Sequence, residues 1–237
     1  MTRRLPYEVD GHKATITLNR PDALNALSPA MISELRAAYD EAENDDKIWL
    51  LIVTGTGRAF CTGADVAEIP ADGMWKPVVC AVQGMCTAGA FYFVNESDVV
   101  ICSDDATFFD SHVSAGLVCA LEPIGLMRRV GLGETLRIAL MGNDERVSSD
   151  TALRIGLVSE VVSPDRLWAR AHEIAVAIAA KPPSATQGTV KAIWESLDKP
   201  YRAALEQNLI YTRLGNPLGQ AELAARGNGT SAKPRVR

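Results

Sequence analysis

The chain has 237 residues, of which 47% are hydrophobic, and this is enough to form one sizeable core. It carries 24 basic and 29 acidic side chains, for a net charge of −5, and no basic run precedes the last few residues, which argues against nucleic acid as a partner. No apolar run reaches the roughly 20 residues that span a bilayer, and the N-terminus lacks the apolar core of a secretory signal, so we expect a cytoplasmic protein without membrane contact.

The first half of the chain alternates predicted strands with a predicted helix. Short strands at residues 7–10 and 13–18 flank a turn at Gly11. A helix over residues 29–43 follows Ser28, a typical N-cap residue, and its apolar side chains recur on one face. Buried strands are predicted at residues 49–54, 78–82 and 98–102. This alternation predicts an α/β fold with layered sheets and helices.

Beyond residue 120 the pattern becomes helical. Ser148 is a predicted N-cap and Gly156 a predicted C-cap. We expect a core over residues 1–170 and a C-terminal helical region over residues 171–237, which covers the core or packs on a neighbouring subunit. One late strand is predicted at residues 158–162, and helices are predicted at residues 123–130, 133–141, 148–155, 166–180, 184–197 and 200–213.

The cysteines and histidines give no sign of a metal site. The three histidines are far apart and form no HxH or HxxxH pair, so we expect no bound metal. The cysteines form no CxxC pair and lie in apolar segments, which predicts small buried side chains in a reducing compartment. They are Cys61, Cys80, Cys86, Cys102 and Cys119.

Two turns rich in small residues each follow a predicted strand, at residues 58–65 and 84–90. Such turns leave backbone N–H groups accessible, and small side chains let a substrate approach the main chain closely. Two N–H donors that converge on one point form an oxyanion hole, which stabilises charge developing on a carbonyl oxygen by a few kcal/mol. Either turn alone is weak evidence, since glycine after a strand is common.

Several short motifs occur together, in order and at regular spacing. They are Asn19-Arg20-Pro21, Asn25-Ala-Leu-Ser28, Phe60-Cys-Thr-Gly-Ala-Asp65, Lys76-Pro77-Val78 and Gln83-Gly84. Over about residues 5–225 the chain resembles the crotonase, or enoyl-CoA hydratase/isomerase, superfamily. The resemblance implies an α/β spiral of ββα turns with a C-terminal helical region, homotrimers or dimers of trimers, and an acyl-CoA thioester as substrate. No cofactor is implied beyond the coenzyme A of that substrate.

The resemblance also implies a binding site. The thioester oxygen would lie between the amides of Ala64 and Gly89, with Gly89 opening a helix whose dipole adds to the field. Ala26 and Leu27, with Ala64 and Asp65 of the first turn, would line the coenzyme A groove. For Ala26 and Leu27 the alternative is simple core packing beside the first helix.

The chain departs from the resembled family where hydratases carry two glutamates. Typical hydratases of that family have one three residues after the oxyanion-hole glycine and a second twenty residues further on; here these positions are Tyr92 and His112. In addition, only ten residues, 66–75, separate the first turn from Lys76. The family has about twenty or more there, so we expect an open acyl pocket or one completed by something else.

Two side chains, His112 and Glu122, are candidates for the missing proton transfer, with Tyr92 as a polar helper. Histidine is the side chain that titrates near neutrality, so His112 is a possible general base; the alternative is a structural histidine satisfied by the backbone or by Asp110. Tyr92 is a possible hydrogen-bond donor, or it fills the space of the glutamate. Glu122 lies in an apolar run, where a carboxylate needs a role or a partner.

The partner of Glu122 in the structural alternative would be Arg128 or Arg129. The family resemblance, together with His112, Glu122 and Tyr92, implies an acyl-CoA-processing enzyme that stabilises a thioester enolate and is isomerase-, hydrolase- or lyase-like rather than a standard hydratase. The alternative is a non-catalytic acyl-CoA-binding protein that keeps the groove but lacks a base.

Overall fold

A computed structural model describes residues 4–63 and 74–226. The chain divides into two compact units, Met1–Val176 and Ala177–Arg237. The predicted functional division after residue 170, into an acyl-CoA-binding core and a trimerisation region, stays a prediction.

The described part of the first unit contains ten strands and the first helices. The strands are β1 Tyr7–Asp10, β2 Lys13–Leu18, β3 Leu50–Gly55, β4 Ala59–Cys61, β5 Val78–Val82, β6 Met85–Thr87, β7 Val99–Ser103, β8 Thr107–Phe109, β9 Val147–Ser148 and β10 Glu160–Val162. The helices of the described residues are α1 Pro29–Asn44, α2 Phe91–Asn95, α3 Glu122–Val130, α4 Leu132–Met141, α5 Ser149–Arg154, α6 Pro164–Ala179, α7 Pro183–Ser196 and α8 Tyr201–Arg226.

The strands form two sheets. The larger sheet has the order β1-β2-β3-β5-β7-β10, in which β1 and β2 are antiparallel and every later pair is parallel. The smaller sheet has the order β4-β6-β8-β9, with only the β8–β9 pair antiparallel. Strand β5 is buried along its whole length, as expected for a parallel strand covered on both faces.

The chain spirals between the two sheets. Three times a strand of the larger sheet is followed directly by a strand of the smaller one, as β3–β4, β5–β6 and β7–β8. Each passage contains a sharp turn, and the turn between β5 and β6 places Gly84 at φ +56°. A Cβ atom at Gly84 would lie 2.0 Å from the carbonyl oxygen of Arg58, so only glycine fits there. The predicted α/β class with ββα turns is confirmed.

Helix α1 covers one side of the larger sheet. Its N-cap is Ser28 as predicted, because the Ser28 hydroxyl accepts the N–H of Met31 at 3.3 Å. Its C-terminal end is closed by Lys76, which is only 5% exposed and donates its Nζ to the carbonyl oxygens of Ala42 and Asp45 at 2.7 and 2.8 Å. Carbonyls at a helix C-terminus lack intrahelical donors, so this cation satisfies them.

Most predicted helix ends agree with the structure to within two residues, but the C-terminal end of α8 does not. It was predicted over residues 200–213 and extends to Arg226, with Pro217 in its interior. Packing within the second unit explains the continuation: the helix approaches α7 at Gly219, where a Cβ atom would lie 3.3 Å from that of Ala185, and Glu222 accepts the N–H and hydroxyl of Ser184. The prediction relied on local propensity, which these contacts override.

The second unit is built around an antiparallel pair of helices. Ser184 near the start of α7 meets Glu222 near the end of α8, and Asn208 donates to the carbonyl of Ala192 at 2.7 Å. None of the described helices is long and apolar enough to cross a membrane.

Candidate active site

The two small-residue turns meet at Gly63. Gly63 has φ +85°, and a Cβ atom there would lie 2.6 Å from the backbone nitrogen of Gly89. The first turn is held in place by Leu27, whose N–H donates to the carbonyl of Gly63 at 3.1 Å. Glycine is therefore required at position 63 both for its backbone angle and for the close approach to the second turn.

Gly89 stands at the start of a helical run, as predicted. It lies in the buried 3₁₀ turn Ala88–Ala90, which leads directly into α2. The first N–H groups of such a run have no intrahelical acceptor, so they can donate to a ligand. The preceding Ala88 has φ +52°, a strained angle for a residue with a side chain. The other predicted oxyanion-hole residue, Ala64, and its neighbour Asp65 lie outside the described residues.

A cavity of about 590 Å³ opens beside these turns. One part of its lining comes from the two turns, and the rest comes from the segment between β8 and α3. Both predicted proton-transfer residues, His112 and Glu122, belong to that lining. The described lining residues are Thr62, Gly63, Ala88, Ser111, His112, Ala115, Leu117, Val118, Ala120, Leu121 and Glu122.

His112 is held by Asp110, directly after β8. One oxygen of Asp110, Oδ1, accepts the backbone N–H of His112 and lies 2.9 Å from its ring nitrogen Nδ1. Asp110 is only 2% exposed. Because an ionised carboxylate only accepts hydrogen bonds, Nδ1 carries the ring proton, and in the neutral imidazole Nε2 keeps its lone pair. The predicted contact between Asp110 and His112 is therefore present.

Glu122 is the first residue of α3 and is 7% exposed. A carboxylate in the first turn of a helix is stabilised by the helix dipole. The predicted structural alternative was an ion pair with Arg128 or Arg129. Arg129 donates to the backbone carbonyls of Asn95 and Ser97, whereas a pair with Arg128 stays a prediction. The carboxylate of Glu122 instead lies 3.6 Å from the thiol of Cys119.

Tyr92 is not among the described residues that line the cavity. It lies on α2 and packs edge to face against Phe93, with ring centroids 5.5 Å apart, and against the hydrophobic core. Burial, followed by the nearby charge of Glu96, raises the pKa of the Tyr92 hydroxyl, which therefore stays protonated. These surroundings favour the alternative in which Tyr92 fills the space of the glutamate.

Leu27 is 6% exposed and belongs to the hydrophobic core, while Ala26 is half-buried and its carbonyl accepts a hydrogen bond from Arg20 at 2.6 Å. The structure thus places both beside the first turn, with Leu27 in the packing role. Their place in a coenzyme A groove stays a prediction.

Two residues of this region have contacts that the sequence did not predict. Asn25 is fully buried, and its amide donates to the carbonyls of Thr56 and Ala59, which ties the segment before α1 to the first turn. The prediction of a buried apolar side chain was wrong for Cys119, which is only partly buried and donates to Asp110 at 3.1 Å. Its position three residues before Glu122 was the one available signal.

One group of side chains has a spacing that a metal ion could use. Ligand atoms of Asp110, His112 and Cys119 all lie within 4.8 Å of one another. The hydrogen bonds already described account for this proximity, because Asp110 accepts from both other residues.

Family models described as enoyl-CoA hydratase/isomerase match residues 13–75 and 71–214. The chain belongs to the enoyl-CoA hydratase/isomerase family. The family resemblance predicted from the motifs is thereby confirmed, together with the processing of acyl-CoA thioesters that characterises this crotonase superfamily.

Individual proteins that resemble this chain are named as CoA-ester hydratases or as enoyl-CoA hydratase/isomerases. It is 48% identical to an enoyl-CoA hydratase/isomerase from Mycobacterium paratuberculosis, whose crystal structure it matches with a TM-score of 0.90 over 95% of this chain and 94% of that one. It is 32% identical to (E)-benzylidenesuccinyl-CoA hydratase of Thauera aromatica, over 87% of each chain. It is also 32% identical to the short-chain-enoyl-CoA hydratase of Clostridium acetobutylicum, over 78% of this chain and 79% of that one.

Proposed function

We propose that this chain is an acyl-CoA-processing enzyme that forms a thioester enolate, with His112 and Glu122 as its proton-transfer groups. One-base double-bond isomerisation, or hydrolysis or retro-aldol-type cleavage of an acyl chain, fits these groups better than standard hydration. The observation that supports the proposal is the shared cavity: His112 and Glu122 line it together with Gly63 and Ala88, which flank the proposed oxyanion hole.

The proposed chemical step is proton abstraction beside the thioester carbonyl. Nε2 of His112 takes the proton from the α-carbon, and the electron pair of the broken C–H bond moves to the carbonyl oxygen. The amides of Gly89 and Ala64 would hold that oxygen as it becomes negative. Asp110 keeps the proton on Nδ1, so that Nε2 remains the base. Glu122 would return a proton to the substrate or take one from it.

The lining also favours an apolar acyl group. Apart from His112 and Glu122, the segment from Ala115 to Leu121 contributes mainly apolar side chains to the cavity. Leu117, Val118 and Leu121 are each more than half exposed in the unliganded chain. Burying such side chains against an acyl chain stabilises the complex by about 25 cal/mol per Å² of apolar surface.

The alternative function is non-catalytic binding of acyl-CoA. It predicts that butyryl-CoA binds but that its α-proton does not exchange. The proposed enzyme instead exchanges that proton for deuterium in D₂O, because the proposed step removes the α-proton to form the enolate. Exchange is measured by mass spectrometry of recovered butyryl-CoA, alongside calorimetric binding of the same ester.

The decisive variant is His112→Gln, with His12→Gln as its matched control. His12 stacks on Trp49 and contacts the carbonyl of Lys47, and it does not line the cavity. We expect His112→Gln to slow exchange by about 10²–10⁴-fold, the usual contribution of a general base, while His12→Gln keeps the wild-type rate. Binding without exchange in the wild-type protein would favour the binder, and absence of binding would contradict both functions.

We also propose that the chain forms homotrimers or dimers of trimers in the cytoplasm. Support comes from apolar side chains that lie exposed at helical spacing within each unit, on α4 at Leu132, Leu136 and Leu140 and on α8 at Leu205 and Leu209. Exposed apolar surface of this kind commonly marks an interface. Sedimentation velocity at micromolar concentration measures the assembly, and a single monomer species there would contradict this proposal.

A further inference from the structure

Cys119 lies between the two carboxylates of the proposed site. Its Sγ atom is 3.1 Å from Oδ2 of Asp110 and 3.6 Å from Oε2 of Glu122. It is the only one of the five cysteines that is not buried. The segment that carries it leads from the 3₁₀ turn Val113–Ala115 to the start of α3. The thiol therefore lies between Asp110, which follows β8, and Glu122, which begins α3.

The thiol is the proton donor of this group. Ionised carboxylates accept hydrogen bonds and cannot donate them, whereas a neutral thiol donates one. Burial, and then the neighbouring charges of Asp110 and Glu122, raise the pKa of the Cys119 thiol. Cys119 is therefore a neutral thiol and a poor nucleophile, so we assign it no covalent step.

The single proton of the thiol has its shorter contact with Asp110. Asp110 is 2% exposed and accepts from His112 with one oxygen and from Cys119 with the other. Glu122 lies farther from the thiol, at 3.6 Å, on the other side of Cys119. A buried carboxylate oxygen that loses its donor is destabilised, so losing the thiol would reorient Asp110 and the imidazole that Asp110 holds.

We propose that Cys119 is a positioning residue, whose thiol donates to Asp110 and thereby orients the imidazole of His112, beside Glu122 on the same wall of the cavity. This inference rests on the proposed role of His112. It adds a third member to the pair of Asp110 and His112, namely the thiol that supports the carboxylate.

The test compares three substitutions at position 119. Cys119→Ser keeps a donor, Cys119→Val keeps the volume without a donor, and Cys119→Ala removes both with only a small loss of packing. ¹⁵N NMR of the imidazole reports which ring nitrogen of His112 carries the proton, without any need for turnover. Cys102→Ala is the control, because it removes a buried thiol of β7 that does not line the cavity.

We expect Cys119→Val and Cys119→Ala to populate the other His112 tautomer and to slow α-proton exchange of butyryl-CoA by about 10–100-fold, as loss of a partner behind an oriented imidazole commonly does. The KM for butyryl-CoA should stay within about twofold, because Cys119 is not assigned a contact with the substrate. Cys119→Ser should restore the wild-type tautomer and most of the rate.

Two results would overturn the inference. One is a wild-type tautomer and exchange rate in both Cys119→Val and Cys119→Ala, which would leave the thiol a packing role. The other is a thiolate charge-transfer band on adding one equivalent of Co²⁺, lost in Cys119→Ser, which would assign these side chains to a metal. If the wild-type protein shows no exchange at all, the proposed function fails, while the tautomer comparison still decides the role of Cys119.

Discussion

At the scale of single residues, the site depends on backbone conformations that side chains ordinarily avoid. Gly63, Ala88 and Asn25 all have positive φ angles, and all three lie in or beside the two turns. Asn25 offsets its strain through its amide, which donates to two carbonyls at 2.8 Å. Strain concentrated in one place and supported by fixed hydrogen bonds is typical of functional sites.

Gly63→Ala tests the contact between the two turns. The added Cβ atom would lie 2.6 Å from the nitrogen of Gly89, in addition to the strain of φ +85°. Gly11→Ala is the matched control, since Gly11 has φ +59° with nothing within 4 Å of a Cβ atom. We expect Gly11→Ala to lower the free energy of unfolding by about 1–2 kcal/mol, from backbone strain alone.

Gly63→Ala should lower the free energy of unfolding by about 1–3 kcal/mol more than the control, because of the steric conflict. It should also weaken butyryl-CoA binding, which Gly11→Ala leaves unchanged. Urea unfolding and calorimetry measure the two quantities. Equal stability losses in both variants would mean that the turns relax without cost and that their close approach is unimportant.

At the scale of elements, helices α2 and α3 are joined by polar contacts at their ends. Arg129 of α3 donates to the carbonyl of Asn95, the last residue of α2, at 2.9 Å, and to the carbonyl of Ser97. In return, the amide of Asn95 donates to the carbonyl of Glu122 at 2.9 Å. The helix that follows Gly89 and the helix that begins with Glu122 are therefore held in one arrangement.

Arg129→Met should disturb this arrangement, and Arg36→Met is its control. Losing a charged donor to two partly buried carbonyls should lower the free energy of unfolding by about 2–3 kcal/mol. Arg36 lies exposed on α1, and its replacement should change that energy by about 0.5 kcal/mol or less. Thermal unfolding and butyryl-CoA binding are the measurements. Similar effects of the two substitutions would show that Arg129 does not hold the helices together.

Elements that depend on neighbouring residues were predictable from the sequence, and those that depend on distant ones were not. The start of α1 was predicted because Ser28 and the apolar spacing of the helix are local signals. The extension of α8 past Pro217 was missed because it depends on Ala185 and Ser184, more than thirty residues away.

The same reasoning applies to the candidate site. Motif spacing pointed to Gly89 and His112, and a carboxylate in an apolar run pointed to Glu122; His112 and Glu122 line one cavity. The donor role of Cys119 could not be predicted, because it requires the chain to fold back from Leu117 toward Asp110, and an apolar run gives no sign of that path.

At the scale of the whole molecule, buried thiols link stability to pH. Burial raises the pKa of Cys61, Cys80 and Cys102 to about 12, and it also raises the pKa of Cys86 well above the usual thiol value. In the unfolded chain the same groups ionise near pH 8.5. Above about pH 8.5 the unfolded state therefore binds fewer protons than the folded state, so the free energy of unfolding falls as the pH rises toward 12.

We expect this fall to be measurable by urea unfolding at pH 7.5, 8.5 and 9.5 in the presence of a reductant. Each buried thiol contributes up to about 1.4 kcal/mol per pH unit. Cys80→Ala removes one of them and should make the slope above pH 8.5 shallower by up to that amount, whatever its effect on stability at pH 7.5. An unchanged slope in this variant would contradict the assignment.

Residues 64–75 are bounded by two residues held in place, Gly63 and Lys76, which we call the anchors. The segment between them is therefore a suitable place for exchanging one stretch of chain for another. On one side Gly63 is fixed by Leu27 and by its approach to Gly89, and on the other Lys76 is clamped to the end of α1. Doubling the length of a flexible connection adds only about 0.6 kcal/mol of closure entropy. Longer segments could thus be inserted between the anchors to make chimeras without redesigning the core.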